Sequence, residues 1–340
     1  MDTALRAFVP LAFVLLGGCS SRVPLPEVIA YTSLDAEFVE PIYQDFKRTS
    51  GIKVVPVYDT DTTRSVGLAR QIIKEASDPR CDIFWNSEIV QTLRLDALGL
   101  LEEYPLPSDE DLPEMYRAPR GTWHALAARA RVLIVNTELT KDDQLPRSIR
   151  DLVDPRWSRR AGMARPLAGT TATHASCLFA AWGSAAAEQF FLEIKDNHVQ
   201  IMGSNKQVAV AVGAGQLAFG LTDSDDAIAE VDRAMPVAIV YPDQGDGHLG
   251  TLFIPTTVSI VKGSHHPRTA QRLVSFILSP AVETQLAQSF SAQEPLRPNV
   301  DAESRLKIPM GTRRMDVDFQ KAAELWESSQ KFLHDEFNGQ

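Results

Sequence analysis

Four short stretches of this chain carry the side chains best suited to hold a solute. The first is Thr32-Ser33-Leu34-Asp35 and the second is Asn86-Ser87-Glu88. The third, Gly169-Thr170-Thr171-Ala172-Thr173-His174, sets a glycine before three hydroxyls at the start of a helical pattern. Unpaired N–H groups of a first helical turn and the threonine hydroxyls could donate there to an anion, helped by the helix dipole, with His174 as a further donor. The same residue types also make ordinary helix caps. The fourth, Thr222-Asp223-Ser224-Asp225-Asp226, packs three carboxylates into five residues. With Asp35 and Glu88 they could bind a hard cation, an ammonium or the hydroxyls of a sugar. EF-hand spacing does not accompany them, and Asp226 is expected to cap the helix that follows.

Covalent catalysis fits less well. Ser33 has no histidine and carboxylate positioned to activate it, and neither a nucleophile motif nor a dinucleotide glycine pattern occurs, so the chain is not read as an enzyme. His265-His266 falls in a polar turn, while His124 and His248 flank hinge segments. Tyr31, Trp85, Trp123 and Tyr241 could line a cleft, although aromatics beside strands ordinarily pack the core.

These loops need elements to hold them. Residues 28–31 and 52–58 read as strands on either side of a helix at 37–48, where Phe38, Val39, Ile42, Tyr43 and Phe46 recur at helical spacing. Helices at 66–76 and 89–98 flank a strand at 82–85, and the proline- and acid-rich 105–119 is a surface excursion. An apolar strand at 132–136 marks a junction. Beyond it come strands at 162–164, 199–201 and 217–221 and helices at 172–182, 185–195 and 206–212. The valine- and threonine-rich 250–261 brings the chain back, and helices at 269–278 and 281–290 follow. The alternation predicts an α/β fold in two lobes, 27–127 with 251–300 and 128–250, plus a helical appendage at 301–340. In open parallel sheets ligands bind beyond the carboxyl ends of strands, where all four loops fall.

Length and composition agree: 340 residues suit two domains, and 44% hydrophobic with 23% charged residues is typical of globular chains. A net charge of -10 disfavours nonspecific nucleic-acid binding. At the N-terminus, Arg6 precedes an apolar run at 7–16 that ends in Leu16-Gly17-Gly18-Cys19-Ser20. The pattern predicts a signal peptide at 1–18, lipidation of Cys19 and a tether at 19–26. No later apolar run approaches the roughly 20 residues a transmembrane helix needs. Cys81 and Cys177 lie in apolar or small-residue settings that suit buried thiols, with pairing left open.

Several segments, in order, carry a family likeness. They are Tyr31-Thr32-Ser33-Leu34-Asp35, Ile83-Phe84-Trp85-Asn86-Ser87-Glu88, Ala130-Arg131-Val132-Leu133-Ile134-Val135-Asn136-Thr137, Ser204-Asn205-Lys206-Gln207-Val208-Ala209 and Gly215-Gln216-Leu217-Ala218-Phe219-Gly220-Leu221. Over 28–300 the chain resembles the periplasmic ferric-ion-binding receptors, within the extracellular solute-binding proteins of ABC importers. The resemblance implies a two-lobed periplasmic-binding-protein fold with hinge crossovers near 128–135 and 250–257. It implies a monomer outside the cytoplasm, anchored to a bacterial membrane and periplasmic in a diderm cell, that delivers solute to a permease driven by a cytoplasmic ATPase.

It also implies roles for residues. A glutamate that helps bind the ion in those receptors corresponds to Glu88, and Asp35 stands where they often offer histidine. Their pair of adjacent tyrosines corresponds to Ser224 and Asp225, a departure, because phenolates suit ferric iron and a serine and an aspartate offer a different oxygen set. An anion such as phosphate or carbonate would sit at Thr170 to Thr173. The expected binding set is Ser33, Asp35, Asn86, Ser87, Glu88, Thr170, Thr171, Thr173, Asp223 and Asp225, with Asp35, Glu88, Asp223 and Asp225 as metal ligands. No catalytic cofactor is expected, and ferric iron with its anion is the leading cargo. A phosphorylated or otherwise anionic organic solute is the alternative, and an extracytoplasmic lipoprotein hydrolase is a third.

Overall fold

A computed structural model describes residues 26–59, 63–141 and 144–339; the expected signal peptide and Cys19 lie outside the described residues. The chain begins with β1 (Glu27–Thr32), α1 (Ala36–Ser50) and β2 (Lys53–Tyr58). In α1, Val39, Ile42, Tyr43 and Phe46 are buried at the spacing of one helical face, and Gly51 ends the helix in the left-handed region at φ 72°. Then follow α2 (Val66–Lys74), β3 (Ile83–Asn86), α3 (Val90–Ala97) and the long β4 (His124–Asn136). The next elements are β5 (Ala161–Ala164), α4 (Gly169–Trp182), α5 (Ser184–Asp196), β6 (Gln200–Met202), α6 (Asn205–Gly213), β7 (Phe219–Asp223), α7 (Ser224–Asp232) and β8 (Val237–Val240). The chain closes with β9 (Phe253–Ile260), α8 (Pro267–Ile277), α9 (Pro280–Gln288), α10 (Phe319–Glu324) and α11 (Trp326–Phe337).

The strands run in the order β2-β1-β3-β9-β4-β7-β5-β6, with β8 also on β4. β4 belongs to both halves of this sheet. Its first part pairs antiparallel with β9, from His124 opposite Val258 to Ala130 opposite Phe253. Its second part pairs with β7, Arg131 facing Asp223, and with β8. A register shift between Leu126 and Ala128 marks a bulge in the first part, where Ala127 takes φ 41°. Reading only 132–136 as strand captured the second part, because alanines and two arginines interrupt the apolar signal before it. The short β8 was also missed.

Each half is covered on both faces. In the first, α1 and α8 bury Phe46, Leu273 and Ile277 against one side, while α2 and α3 cover the other. In the second, α4 and α5 pack Phe179, Phe190 and Phe191 beside Trp157, and α6 and α7 bury Val212 and Ile228 opposite them. Gly220 of β7 permits α6 to lie close, since a Cβ there would fall 2.3 Å from Val208 Cγ1. The start of α6 is thereby drawn to the edge of β7.

The C-terminal helices are structural rather than peripheral. α10 packs against α3 of the first half and α4 of the second. Arg94 of α3 pairs with Glu327 and lies 5.2 Å from the centre of the Trp326 ring, while Leu333 and Phe337 enter the second core. Cys81 and Cys177 are both free and buried. Among the described residues no helix is long and apolar enough to cross a membrane.

Candidate solute-binding site

A cavity of about 370 Å³ opens where the two halves meet. Four helix starts converge on it. Asp35, Ala36 and Glu37 come from the start of α1, Gly169, Thr170 and Thr171 from α4, Asn205 and Lys206 from α6, and Asp226 from α7. The positive φ of 59° at Gly169 turns the chain into α4, and its N–H donates across the halves to the Arg64 carbonyl at 3.1 Å. No side chain caps the starts of α1, α4 or α7, whereas Ser204 caps α6 by accepting from the Gln207 N–H. Convergent helix starts present partial positive charge and N–H donors to the same volume. Arg64, Arg129, Arg165 and Lys206 add cations to the lining, and Asp35, Glu37, Asp223 and Asp226 add carboxyl groups.

Behind this lining lies a buried ionic lattice. Arg131, fully buried, donates from Nη1 to Asp223 Oδ1 at 2.6 Å and reaches Thr170 Oγ1 at 3.4 Å and Thr171 Oγ1 at 3.3 Å. Arg129 donates to Asp225 Oδ2 at 3.2 Å and to the Ser87 carbonyl at 2.9 Å, and lies 3.7 Å from Asp223. Burial alone would raise the Asp223 carboxyl, but Arg131 and Arg129, with Thr170 donating, hold it below the usual carboxylate range. Burial keeps Asp225 above its ordinary value in spite of Arg129. It raises Asp226 well above, with Asp225 and Asp223 adding repulsion.

The predicted residues separate into two groups. Asp35, Thr170, Thr171 and Asp223 line the cavity, Asp35 being paired with Arg64 at 2.6 Å. Ser33, Asn86, Ser87, Glu88, Thr173 and Asp225 do not. Ser33 Oγ donates to Asn86 Oδ1 at 2.7 Å, and its oxygen accepts from the Ser87 N–H at 2.9 Å, all three residues being buried. Glu88 is fully buried, and its carboxylate accepts from the N–H groups of Val90 at 2.6 Å and Gln91 at 3.1 Å, from Asn86 Nδ2 at 2.9 Å and from the Thr173 hydroxyl at 2.6 Å. Both oxygens are committed to the start of α3 and to the neighbouring α4. Glu88, expected as a metal ligand, and Thr173, expected to face an anion, therefore hold one another in this structure and lie outside the cavity lining.

The acidic loop is corrected in the opposite sense. Asp226, expected to cap α7, faces the cavity, while Asp225 turns back to Arg129. Asp223, Asp225 and Asp226 still lie close enough for one oxygen of each to fall within 4.8 Å of the others. His174 is buried in α4, where burial, with Arg131 adding, pulls its imidazole down to about 3, so it is neutral and not a cationic donor. Tyr31, Trp85, Trp123 and Tyr241 are buried in the cores. Sequence reasoning missed Arg64, Arg129, Arg131, Arg165 and Lys206 as site residues. The signal was present for two of them: Arg129 and Arg131 stand two apart, on one face of an otherwise apolar strand.

Known proteins share this architecture. The chain is 24% identical over 280 residues to the major ferric iron-binding protein of Neisseria meningitidis serogroup A, covering 81% of this chain and 82% of that one. The iron-bound HitA of Pseudomonas aeruginosa superposes with a TM-score of 0.80 at 24% identity, over 91% of this chain and 99% of that one. The periplasmic binding protein AfuA of Actinobacillus pleuropneumoniae, with exogenous fructose-6-phosphate bound, also gives 0.80, at 22% identity over 92% and 99%. The fold is accordingly the two-lobed periplasmic-binding-protein fold anticipated above. Residues 91–325 match the bacterial extracellular solute-binding protein family, and the chain belongs to that family.

Proposed function

We propose that this protein captures an organic solute bearing an acidic group outside the cytoplasm and passes it to an ABC permease with its cytoplasmic ATPase. It acts as a monomer tethered through lipidated Cys19 and carries out no chemistry on its cargo. One observation carries the choice of solute: four helix starts meet in one cavity with Arg165 and Lys206, while Asp35, Asp223 and Asp225 are already paired with Arg64, Arg131 and Arg129. An acidic group would rest on the starts of α4 and α6 beside Lys206 and Arg165, and Asp35 and Asp226 would meet hydroxyls or an amine elsewhere on the solute. AfuA, with its bound sugar phosphate, supplies a precedent on the same fold. Capture would proceed by closure of one lobe on the other, the closed form being the one that the permease recognises.

Ferric iron with a bound anion is the second reading, favoured by the Asp223, Asp225 and Asp226 cluster and by the ferric-iron-binding relatives. It requires the ion to compete with buried guanidinium groups and to do without Glu88. Tyrosine lines the cavity nowhere among the described residues. Native mass spectrometry of the protein purified from its own periplasm or membrane tests the two. A retained organic anion without iron supports the first reading. A retained iron lost with Asp226→Ala would replace it.

A further inference from the structure

We infer that Arg131 is the positioning residue of the anion-binding wall, turning the hydroxyl protons of Thr170 and Thr171 away from the solute so that backbone N–H groups make the contact. The inference rests on reading the cavity as an anion receptor. A guanidinium has donors and no acceptor, so each threonine oxygen that faces Arg131 must present a lone pair to it. The hydroxyl protons then go elsewhere. Thr170 donates to Asp223 Oδ2 at 2.6 Å and Thr171 to Asn205 Oδ1 at 3.0 Å. The Asn205 amide completes the circuit, its Nδ2 donating to Thr170 Oγ1 and to Asp223 Oδ2, both at 3.0 Å.

The hydroxyl protons of Thr170 and Thr171 and the amide of Asn205 therefore all have acceptors inside the circuit. The threonines, which look like solute donors in the sequence, instead fix the position of the first turn of α4 against β4, β7 and α6. Arg131, a donor only, and Asp223, an acceptor only, set the order between them, and the complete burial of Arg131 excludes water that could substitute for it. A neutral residue there would free the Thr171 hydroxyl to rotate toward the cavity and leave Thr170 held by Asp223 and Asn205 alone. The wall would then offer lone pairs as well as protons, and its preference for a fully ionised group would weaken.

Calorimetric titration of the full mature chain with inorganic phosphate tests this, using Arg131→Met, Arg131→Lys, the double variant Thr170→Val/Thr171→Val and the triple combination of Arg131→Met with both valines. Wild type should bind, and Arg131→Met should weaken phosphate by about tenfold. The valine pair alone should cost only about threefold, since the backbone donors stay in place. Its effect should vanish in the Arg131→Met background, because the hydroxyls act only through the order that Arg131 imposes. Arg131→Lys, with a single ammonium, should recover stability but not the affinity. Additive losses in the triple variant, or full recovery of affinity by lysine, would overturn the role of Arg131 while leaving the anion reading intact. If Arg131→Met does not fold, the lysine variant alone decides, on the same criterion. Failure of wild type to bind phosphate overturns the anion reading and this inference together.

Discussion

Two buried carboxylate sites lie close together, and the partners they keep set them apart. Glu88 is surrounded by neutral donors, two backbone N–H groups, an amide and a hydroxyl, and it locks the start of α3 to α4. Asp223 and Asp225 are surrounded by guanidinium groups from one strand, and they sit beside a carboxylate, Asp226, that faces open volume. In sequence all of these are acids in a loop after a strand. The partner type separates them: neutral donors satisfy a carboxylate in place, whereas the arginine lattice builds a charged wall whose surface remains available to solute.

Glu88→Ala gives the largest test of that contrast. It strands several buried donors, so the folded state should lose about 3 kcal/mol or more by urea denaturation, with phosphate affinity of the folded fraction little changed. A variant of normal stability that no longer binds would make Glu88 a ligand after all.

A more gradual effect, spread over several pH units, belongs to His174, whose imidazole stays neutral in the fold down to about 3. Below the ordinary histidine range the unfolded chain takes up a proton that the folded chain refuses, so stability falls as pH drops from about 6.5 toward 3, at up to about 1.4 kcal/mol per pH unit. His174→Leu should flatten that part of the stability profile. An unchanged slope would show that His174 is not held neutral.

The smallest effect is expected at Asp226. Burial and its acidic neighbours favour the neutral form of this carboxyl, so asparagine changes little in the charge of the lining, and phosphate affinity should shift by no more than about twofold with stability unchanged or improved. Weaker phosphate binding in Asp226→Asn would mean that its carboxyl is a direct partner of the anion.

The first lobe was legible where apolar spacing is clean. Val39, Ile42, Tyr43 and Phe46 announce α1, and the turn at Gly51 announces β2. At β4 the pattern failed because its buried face carries arginines, which read as solvent-facing unless one knows that β7 and α7 return acids to meet them. The roles of Asp225 and Asp226 were inverted for a related reason. Neighbours on a helix point about 100° apart, so the phase of α7 decides which one meets β4 and which the cavity, and that phase is set by packing that a run of acids does not encode. The four loops follow the carboxyl ends of β1, β3, β5 and β7, which approach the middle of β4 from opposite sides, but loops alone could not tell Glu88, enclosed between α3 and α4, from Asp35, exposed to the cavity.

The most direct measurement is an amide-resolved NMR titration of the mature protein with inorganic phosphate. An acidic group seated on the start of α4 should move the Thr170 and Thr171 amide signals first and furthest, at concentrations that leave the Glu88 and Val90 amides in place. Silence at Thr170 and Thr171, with large shifts at Asp225 and Asp226 only when ferric ion is added, would contradict the assignment of this cavity to an acidic organic solute.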